Sequence, residues 1–252
     1  MLLEERFVYL PSRELVGSPA DVGLVYEDVE FPASDGVALH GWYVPGRAPA
    51  TLVWFHGNAG NISHRLGNLR GLHDLVGVSV LLFDYRGYGR SAGSPTEEGT
   101  YRDAEGAVAL LEGRTGQPAD HLVYFGRSLG AAVAIEMALR RPPAALIIES
   151  PFLSIPHMAR HIYPFLPLAA FLRTHYDSLA KIQHLKVPLL VVVGDADDVV
   201  SPDQGRLLFE RAPEPKRWHS VVGAGHNDTH VVGGAAYYGV LRTFLAEFGR
   251  LD

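Results

Sequence analysis

The chain has 252 residues, of which 47% are hydrophobic and 20% charged, and its formal net charge is −6. This length suits one α/β domain or two small ones, and it can bury a sizeable core. The sequence has no cysteine and no basic stripe, which excludes disulfides, thiolate-bound zinc and a thiol nucleophile and makes nucleic-acid binding unexpected.

The N-terminal residues do not read as a signal peptide, because Glu4, Glu5 and Arg6 stand where a continuous apolar stretch is needed. The longest purely apolar runs, such as Val187 to Val193, have the length of a buried strand. A membrane-spanning helix needs about 20 such residues. We therefore expect a cytoplasmic protein without a transmembrane segment.

Eight strands are predicted in chain order. Two alternating segments, around Leu24–Phe31 and Val37–Val44, flank a Ser34-Asp35-Gly36 turn and predict a β-hairpin. The other six are short apolar runs separated by helical stretches, at residues 51–56, 78–84, 121–126, 144–150, 188–194 and 217–223. Strands that are apolar on both faces are typical of a sheet covered by helices on both sides. The pattern therefore predicts an α/β fold with a mostly parallel eight-stranded sheet.

Two helix starts carry the same signal. The tetrapeptides Ser94-Pro95-Thr96-Glu97 and Ser201-Pro202-Asp203-Gln204 each offer serine as N-cap, proline as first helical residue and Glu or Gln at the third position. This is the pattern of a capping box with a pre-organised first turn. We expect helices capped by Ser94 and Ser201.

The strand–helix alternation stops between about 151 and 186. This segment is apolar yet interrupted by prolines, which is typical of short helices laid over a site rather than of a second domain. We expect one domain over 1–252 with a small cap insertion here. Tyr163 and Phe165 are candidates for substrate binding, and ordinary packing of the cap is the alternative reading of these apolar side chains.

The pattern Gly-x-Ser-x-Gly occurs twice, around Ser91 and around Ser128. A nucleophilic serine of this type stands on a sharp turn between a strand and a helix. The apolar run Leu122–Phe125 precedes Ser128, and the proline-free, alanine-rich stretch Leu129–Leu139 follows it, whereas Ser91 lies in a glycine-rich turn. This context predicts Ser128 as the nucleophile, with a chance match of the motif as the alternative.

The general base is sought after the last predicted strand, because the histidine of such sites comes last along the chain. His226 lies in a glycine-rich turn there, from which an imidazole can reach over the sheet edge. We expect His226 to be the base. His230 is the weaker candidate, since it falls in the following helix, and a solvated loop histidine is the alternative reading of His226.

The acid that orients this histidine is expected in the loop after the strand 188–194. Asp195, Asp197 and Asp198 all lie in this loop, and spacing alone gives only a preference for Asp197. Glu149, at the end of the preceding strand, is the alternative acid. The remaining carboxylates would be solvated or would cap the next helix.

Acyl transfer also needs two backbone N–H groups directed at the developing oxyanion. Leu129 supplies one at the start of its helix. The second is expected in the loop His56-Gly57-Asn58-Ala59-Gly60-Asn61, where we predict Asn58 as donor and Ala59 as the alternative. His56 is interpreted as a support for this loop rather than as a catalytic base.

These motifs together resemble one branch of the α/β hydrolases. The segments FHGNAGNISHRL (55–66), FDYRGYGRSAGSP (83–95), FGRSLGAAVA (125–134), residues 194–202 and GAGHNDT (223–229) are similar to the bud-emergence-suppressor-like α/β-hydrolase-domain proteins, which are related to serine aminopeptidases and lysophospholipase-like hydrolases. The resemblance implies the α/β-hydrolase fold. It also implies Ser128 as nucleophile, Asp197 as acid, His226 as base, and Asn58 and Leu129 as oxyanion donors.

The expected function is hydrolysis of a small-molecule carboxylic ester or thioester through an acyl-enzyme. No metal and no organic cofactor is needed for this chemistry. A serine peptidase with the same three residues is the alternative, and a non-catalytic protein that keeps the fold is a further one. A haloalkane dehalogenase would need a carboxylate at position 128, where this chain has serine.

Overall fold

A computed structural model describes residues 8–162 and 172–249 of the chain. Its framework is one sheet of eight strands, and the predicted strands are all found in it. Their bounds are β1 Glu27–Pro32, β2 Ala38–Val44, β3 Thr51–Phe55, β4 Ser79–Asp84, β5 Leu122–Arg127, β6 Ala145–Glu149, β7 Leu189–Gly194 and β8 Lys216–Val221.

The strands lie in the order β1-β2-β4-β3-β5-β6-β7-β8. β1 pairs antiparallel with β2, and β2 antiparallel with β4, while the remaining neighbours are parallel. The carboxyl ends of β3 and β5 to β8 therefore open onto a single edge, which is where ligands bind in sheets of this type. The predicted mostly parallel α/β sheet with its antiparallel entry is confirmed.

Helices cover both faces of the sheet, as the apolar runs predict. Val53 and Phe55 of β3 contribute to one core layer, and Leu52 and Trp54 to the other, since successive side chains point to opposite faces. The α-helices of the described residues are α1 Leu66–Gly71, α2 Glu97–Thr115, α3 Leu129–Arg140, α4 Ile155–Ile162, α5 Ser178–Ile182, α6 Pro202–Arg211 and α7 Thr229–Phe248. Four further helical turns, of other helix types, lie in the described residues at Pro19–Val22, Ile62–Arg65, Leu72–Val76 and Ala119–His121.

α2, α3 and α6 pack in one layer with α5, and α1 and α7 pack in the other. Each layer is one cluster of buried apolar side chains, and such close packing gives the carboxyl edge of the sheet a rigid support. None of the helices in the described residues is at once long enough and apolar enough to span a membrane.

The two predicted helix caps have different outcomes. Ser201 caps α6 as expected, because its side chain accepts the N–H of Asp203. The prediction for Ser94 is wrong: α2 begins at Glu97, and Thr96 caps it by accepting the N–H of Gly99. Threonine caps a helix through the same oxygen chemistry as serine, so the sequence offered two equivalent starts two residues apart.

Within the predicted cap insertion, α4 lies near the start and α5 near the end. Gln204, expected to close the capping box of α6, instead accepts the backbone N–H of Leu153 at 3.1 Å and contacts Met158 Sδ at 3.4 Å. It therefore fixes the start of the insertion onto α6. Tyr163 and Phe165, the candidate substrate-binding residues, lie outside the described residues.

Candidate active site

Ser128 stands between the last residue of β5 and the first residue of α3, on the sharp turn that its motif predicts. Its φ is 52° and its ψ is −115°, a conformation that costs about 1–3 kcal/mol for a residue with a side chain. The flanking glycines make the turn possible: a Cβ on Gly126 would lie 2.3 Å from the carbonyl oxygen of Gly130, and one on Gly130 would lie 1.9 Å from that of Phe55. Close backbone packing therefore forces Ser128 outward at the carboxyl edge of the sheet.

Ser91, the serine of the second motif, is 1% exposed and serves the backbone. Its hydroxyl donates to the carbonyl oxygen of Asp84 at 2.6 Å and accepts the N–H of His40 at 3.0 Å. These bonds join β2 to the turn after β4. Ser91 is therefore placed as a structural serine.

His226 lies between Ser128 and Asp197. Its Nε2 is 3.1 Å from Oγ of Ser128, and its Nδ1 is 2.8 Å from Oδ2 of Asp197. The sheet brings the three residues together because β5, β7 and β8 end at the same edge. With Nδ1 protonated towards the carboxylate, Nε2 is free to accept the proton of the serine hydroxyl.

The carboxyl group of Asp197 is held by the turn that follows it. Its Oδ1 accepts the N–H groups of Val199 at 3.0 Å and Val200 at 2.9 Å, while Oδ2 faces the imidazole. Burial by itself raises the pKa of Asp197, but the bonds from His226, Val200 and Val199 outweigh it and hold the pKa below its ordinary value. Asp197 is therefore an anion that faces Nδ1.

The other acids of this loop have different positions. Asp195 is exposed and accepts the N–H of Gly223 at 2.6 Å, which ties the acid loop to the histidine loop. Asp198 is exposed. Asp228 closes the histidine loop by accepting the N–H of Gly225 at 2.7 Å. Of the candidate acids, the structure brings Asp197 alone into contact with His226 within the described residues.

The loop after β3 packs directly against Ser128. A Cβ on Gly57 would lie 3.6 Å from the Cβ of Ser128, so the residue before Asn58 lies beside the serine turn. His56, at its start, is fully buried, and burial lowers its pKa to about 3. Nδ1 of His56 donates to the carbonyl oxygen of Gly57 at 2.7 Å, so His56 supports the loop as a neutral side chain.

An N-terminal strap, residues 8–16, runs along the outer side of this loop. Gly60 donates to the carbonyl oxygen of Leu10 at 3.1 Å, and Ser12 donates to that of Gly60 at 3.0 Å. The side chain of Asn58 accepts the N–H of Leu10 at 3.2 Å and donates to the carbonyl oxygen of Val8 at 2.6 Å. Sequence reasoning did not identify this strap, because its contacts with this loop are made by its backbone groups.

Sequence reasoning also missed a buried ion pair beneath the site. Nε of Arg127, the residue before the serine, lies 3.1 Å from Oε1 of Glu149. Glu149, the alternative acid, is thus paired with arginine, and no bond to His226 is found among its contacts within the described residues. His230, the alternative base, lies in the first turn of α7. The position of Arg127 inside the serine motif was the available signal.

No group of three or more His, Asp or Glu side chains within residues 8–162 and 172–249 is arranged to hold a metal ion.

Comparisons with known proteins give the following matches. The profile of the family described as serine aminopeptidase, S33, matches residues 46–179. An uncharacterized protein of Mycobacterium tuberculosis is 43% identical over 248 residues, which cover 97% of this chain and 88% of the relative. Protein bem46 of Schizosaccharomyces pombe is 34% identical over 247 residues, which cover 94% of this chain and 82% of the relative.

Among solved structures, an esterase of Pyrococcus furiosus aligns with a TM-score of 0.78 at 23% identity, covering 96% of this chain and 98% of the esterase. At this identity the likeness shows a shared fold.

Proposed function

Because the chain belongs to the serine aminopeptidase family of α/β hydrolases and is therefore a hydrolase, we propose that it cleaves carboxylic esters or thioesters of small molecules, with Ser128 as nucleophile. The observation that carries the proposal is the hydrogen-bonded series from Asp197 through His226 to Ser128. The resemblance to bud-emergence-suppressor-like proteins, predicted from the motifs, is confirmed by the match to bem46.

In the proposed reaction, Nε2 of His226 takes the hydroxyl proton of Ser128 while Oγ attacks the carbonyl carbon of the substrate. The anionic Asp197 keeps the proton of the neutral imidazole on Nδ1 and stabilises the imidazolium as it forms. The distance of 3.1 Å between Nε2 and Oγ supports this proton transfer.

The negative charge that develops on the carbonyl oxygen is held by the backbone N–H groups of Leu129 and Asn58. The place of Leu129 at the start of α3 supports the first role, since the N–H groups of a first helical turn have no partner within the helix. The contact of Gly57 with the serine turn supports the second. His226 then gives its proton to the leaving alcohol or thiol, and water hydrolyses the acyl-enzyme with the same base.

A serine peptidase is the second candidate, favoured by the description of the family as aminopeptidases. We rank it lower because recognition of a peptide amino terminus needs a carboxylate near the acyl site. The predicted cap insertion, residues 151–186, contains one acidic residue, Asp177. That carboxylate caps α5 by accepting the N–H of Ala180 at 3.0 Å.

The test combines an active-site probe with two substrate series. A fluorophosphonate should label the peptide that contains Ser128, and Ser128→Ala should abolish the label, while Ser91→Ala should keep it. The p-nitrophenyl esters from acetate to palmitate would then size the acyl pocket, and aminoacyl p-nitroanilides would report peptidase activity. A folded protein that takes no label would refute the serine-hydrolase proposal, and faster cleavage of anilides than of esters would replace esterase by peptidase.

A further inference from the structure

The side chain of Arg127 connects three parts of the site from below. Its Nε lies 3.1 Å from Oε1 of Glu149 at the end of β6. Its Nη2 donates to the backbone carbonyl oxygen of His226 and, at 3.0 Å, to Oδ1 of Asn227. One guanidinium therefore joins the strand of the nucleophile to the loop of the base.

Glu149 anchors this guanidinium in a fixed position. The carboxylate is fully buried, and beyond Arg127 it accepts the hydroxyl groups of Thr229 and Tyr237, each at 2.6 Å. Both hydroxyls belong to α7, the helix that follows the histidine loop. Arg127 is thus held against the sheet on one side and the histidine loop on the other.

Stability alone is a weak reason for such a pair. Arg127 is 5% exposed, and burying two charges costs solvation that their attraction often fails to recover, so apolar residues of similar volume stabilise a core equally well. What an apolar pair cannot supply is a donor directed at the carbonyl of His226. Planar guanidinium, with several donors in one rigid fork, suits this double contact.

We propose that Arg127, anchored by Glu149, is a positioning residue that fixes the backbone at His226 so that its imidazole stays in line with Ser128 and Asp197. The inference rests on the proposed function of that site. The bonds of the imidazole itself change during proton transfer, whereas the bond from Arg127 to the carbonyl of His226 persists throughout. The bond from Arg127 therefore keeps His226 aligned with Ser128 while the hydrogen bonds of the imidazole rearrange.

The pairing also keeps the arginine from opposing the reaction. An unpaired positive charge beside the histidine loop would disfavour the imidazolium that forms when Ser128 gives up its proton. Glu149 compensates this charge. The arrangement therefore supplies a fixed donor to the loop with little net positive charge beneath it.

Three variants separate positioning from folding. The double variant Arg127→Met/Glu149→Gln removes the donor without leaving a buried charge unpaired. Glu149→Gln alone removes the anchor charge but keeps the guanidinium and its bonds to the loop. Asn227→Ala acts at an exposed position, removes one of the two acceptors in the loop, and leaves the buried pair intact.

For each folded variant, kcat and KM for a p-nitrophenyl ester and the rate of fluorophosphonate labelling should be measured beside the urea midpoint. We expect the double variant to lose about 10- to 100-fold in kcat and in labelling rate with KM changed less than about threefold, since small displacements of a base cost this much. Glu149→Gln, which keeps the donor but leaves the positive charge of Arg127 uncompensated, should also lower kcat, and Asn227→Ala should lower it about twofold to fivefold with an unchanged urea midpoint.

Wild-type kcat in the folded double variant would overturn the inference, as would losses of kcat in all variants that simply follow their losses of stability. If the double variant does not fold, Asn227→Ala decides, and an unchanged kcat there refutes the positioning role. A wild-type protein that takes no label at Ser128 would instead refute the proposed function itself, together with this inference.

Discussion

The hydroxyl group of Tyr88 donates a hydrogen bond of 2.9 Å to Oδ1 of Asn58. The same oxygen accepts the N–H of Leu10, and Nδ2 of Asn58 donates to the carbonyl oxygen of Val8. The amide side chain thus makes three hydrogen bonds, two with the N-terminal strap and one with the turn after β4. It holds the loop in place, and the backbone N–H of the same residue is the proposed oxyanion donor.

Asn58→Ala should therefore reduce kcat by about 10-fold with little change in KM, although the backbone N–H is retained. The physical reason is that the N–H loses its fixed direction, and a misdirected oxyanion donor forfeits part of its stabilisation of the transition state. Steady-state kinetics on a p-nitrophenyl ester checks this. Tyr88→Phe, which removes one of the donors, serves as the milder comparison, and a wild-type kcat in Asn58→Ala would show that the loop needs no such support.

Asp197→Asn should lower kcat by about 10⁴-fold, the scale found when the orienting carboxylate of a serine protease becomes an amide. The amide can present its N–H₂ to Nδ1 and select the tautomer in which Nε2 carries the proton. Asp195→Asn is the matched control, because it keeps Oδ1 for the N–H of Gly223 and should stay within about threefold of wild-type kcat. Equal losses in the two variants would contradict the assignment of the acid.

Asp84 should make the protein less stable as the pH rises. Burial raises the pKa of its carboxyl group to about 7, against the N–H of Ile62 and the positive charges of Arg65 and Arg13, which lower it. An acid with a higher pKa in the folded than in the unfolded state takes up a proton on folding. Its contribution to the free energy of unfolding is therefore complete below about pH 4 and is lost progressively up to about pH 7.

Replacing this carboxyl group should remove that part of the pH dependence. We expect the free energy of unfolding of Asp84→Asn to increase relative to that of the wild type as the pH rises from about 4 to about 7. Urea denaturation of both proteins across this range measures the difference. Asp203→Asn, at an exposed position of α6, shows what the loss of a surface carboxylate does. A constant difference between Asp84→Asn and wild type across this range would disprove the assignment.

Glu97 should control how easily the returning end of the predicted cap opens. Its carboxylate accepts the backbone N–H groups of His175 at 2.6 Å and Tyr176 at 2.9 Å. Losing such bonds costs about 1–3 kcal/mol, so trypsin should cleave after the exposed Arg173 at least about 10-fold faster in Glu97→Ala. Glu98→Ala, at the exposed next position, is the control; the same acceleration there would point to a general loosening of α2.

The sequence predicted the framework well because the relevant signals are local. Each central strand is apolar on both faces, and the turn at Ser128 needs its glycines within two residues on either side. The start of α2 was misplaced because Ser94 and Thr96 offer the same capping chemistry, and only the packed structure selects Thr96.

The contacts that support the site depend on long-range geometry. Arg127 and the carbonyl of His226 that it contacts are 99 residues apart along the chain. Leu10 and Asn58 are 48 residues apart. In both, one partner is a backbone group that any residue carries, so the sequence does not show which group the side chain of Arg127 or Asn58 contacts. Glu149 is a plausible acid in the sequence because its position at the end of β6 does not reveal that its carboxylate is paired with Arg127.

From β5 onward the sheet is extended at one edge in the order in which the chain is synthesised, through β6 and β7 to β8. Ser128 follows the first of these strands, Asp197 the third and His226 the last. A nascent chain that has already formed the serine turn has no imidazole to accept the hydroxyl proton, so that serine remains an ordinary alcohol. On the proposed chemistry, the growing polypeptide stays inert towards acyl groups on the ribosome, and reactivity begins only when the last strand and the helix after it have been added.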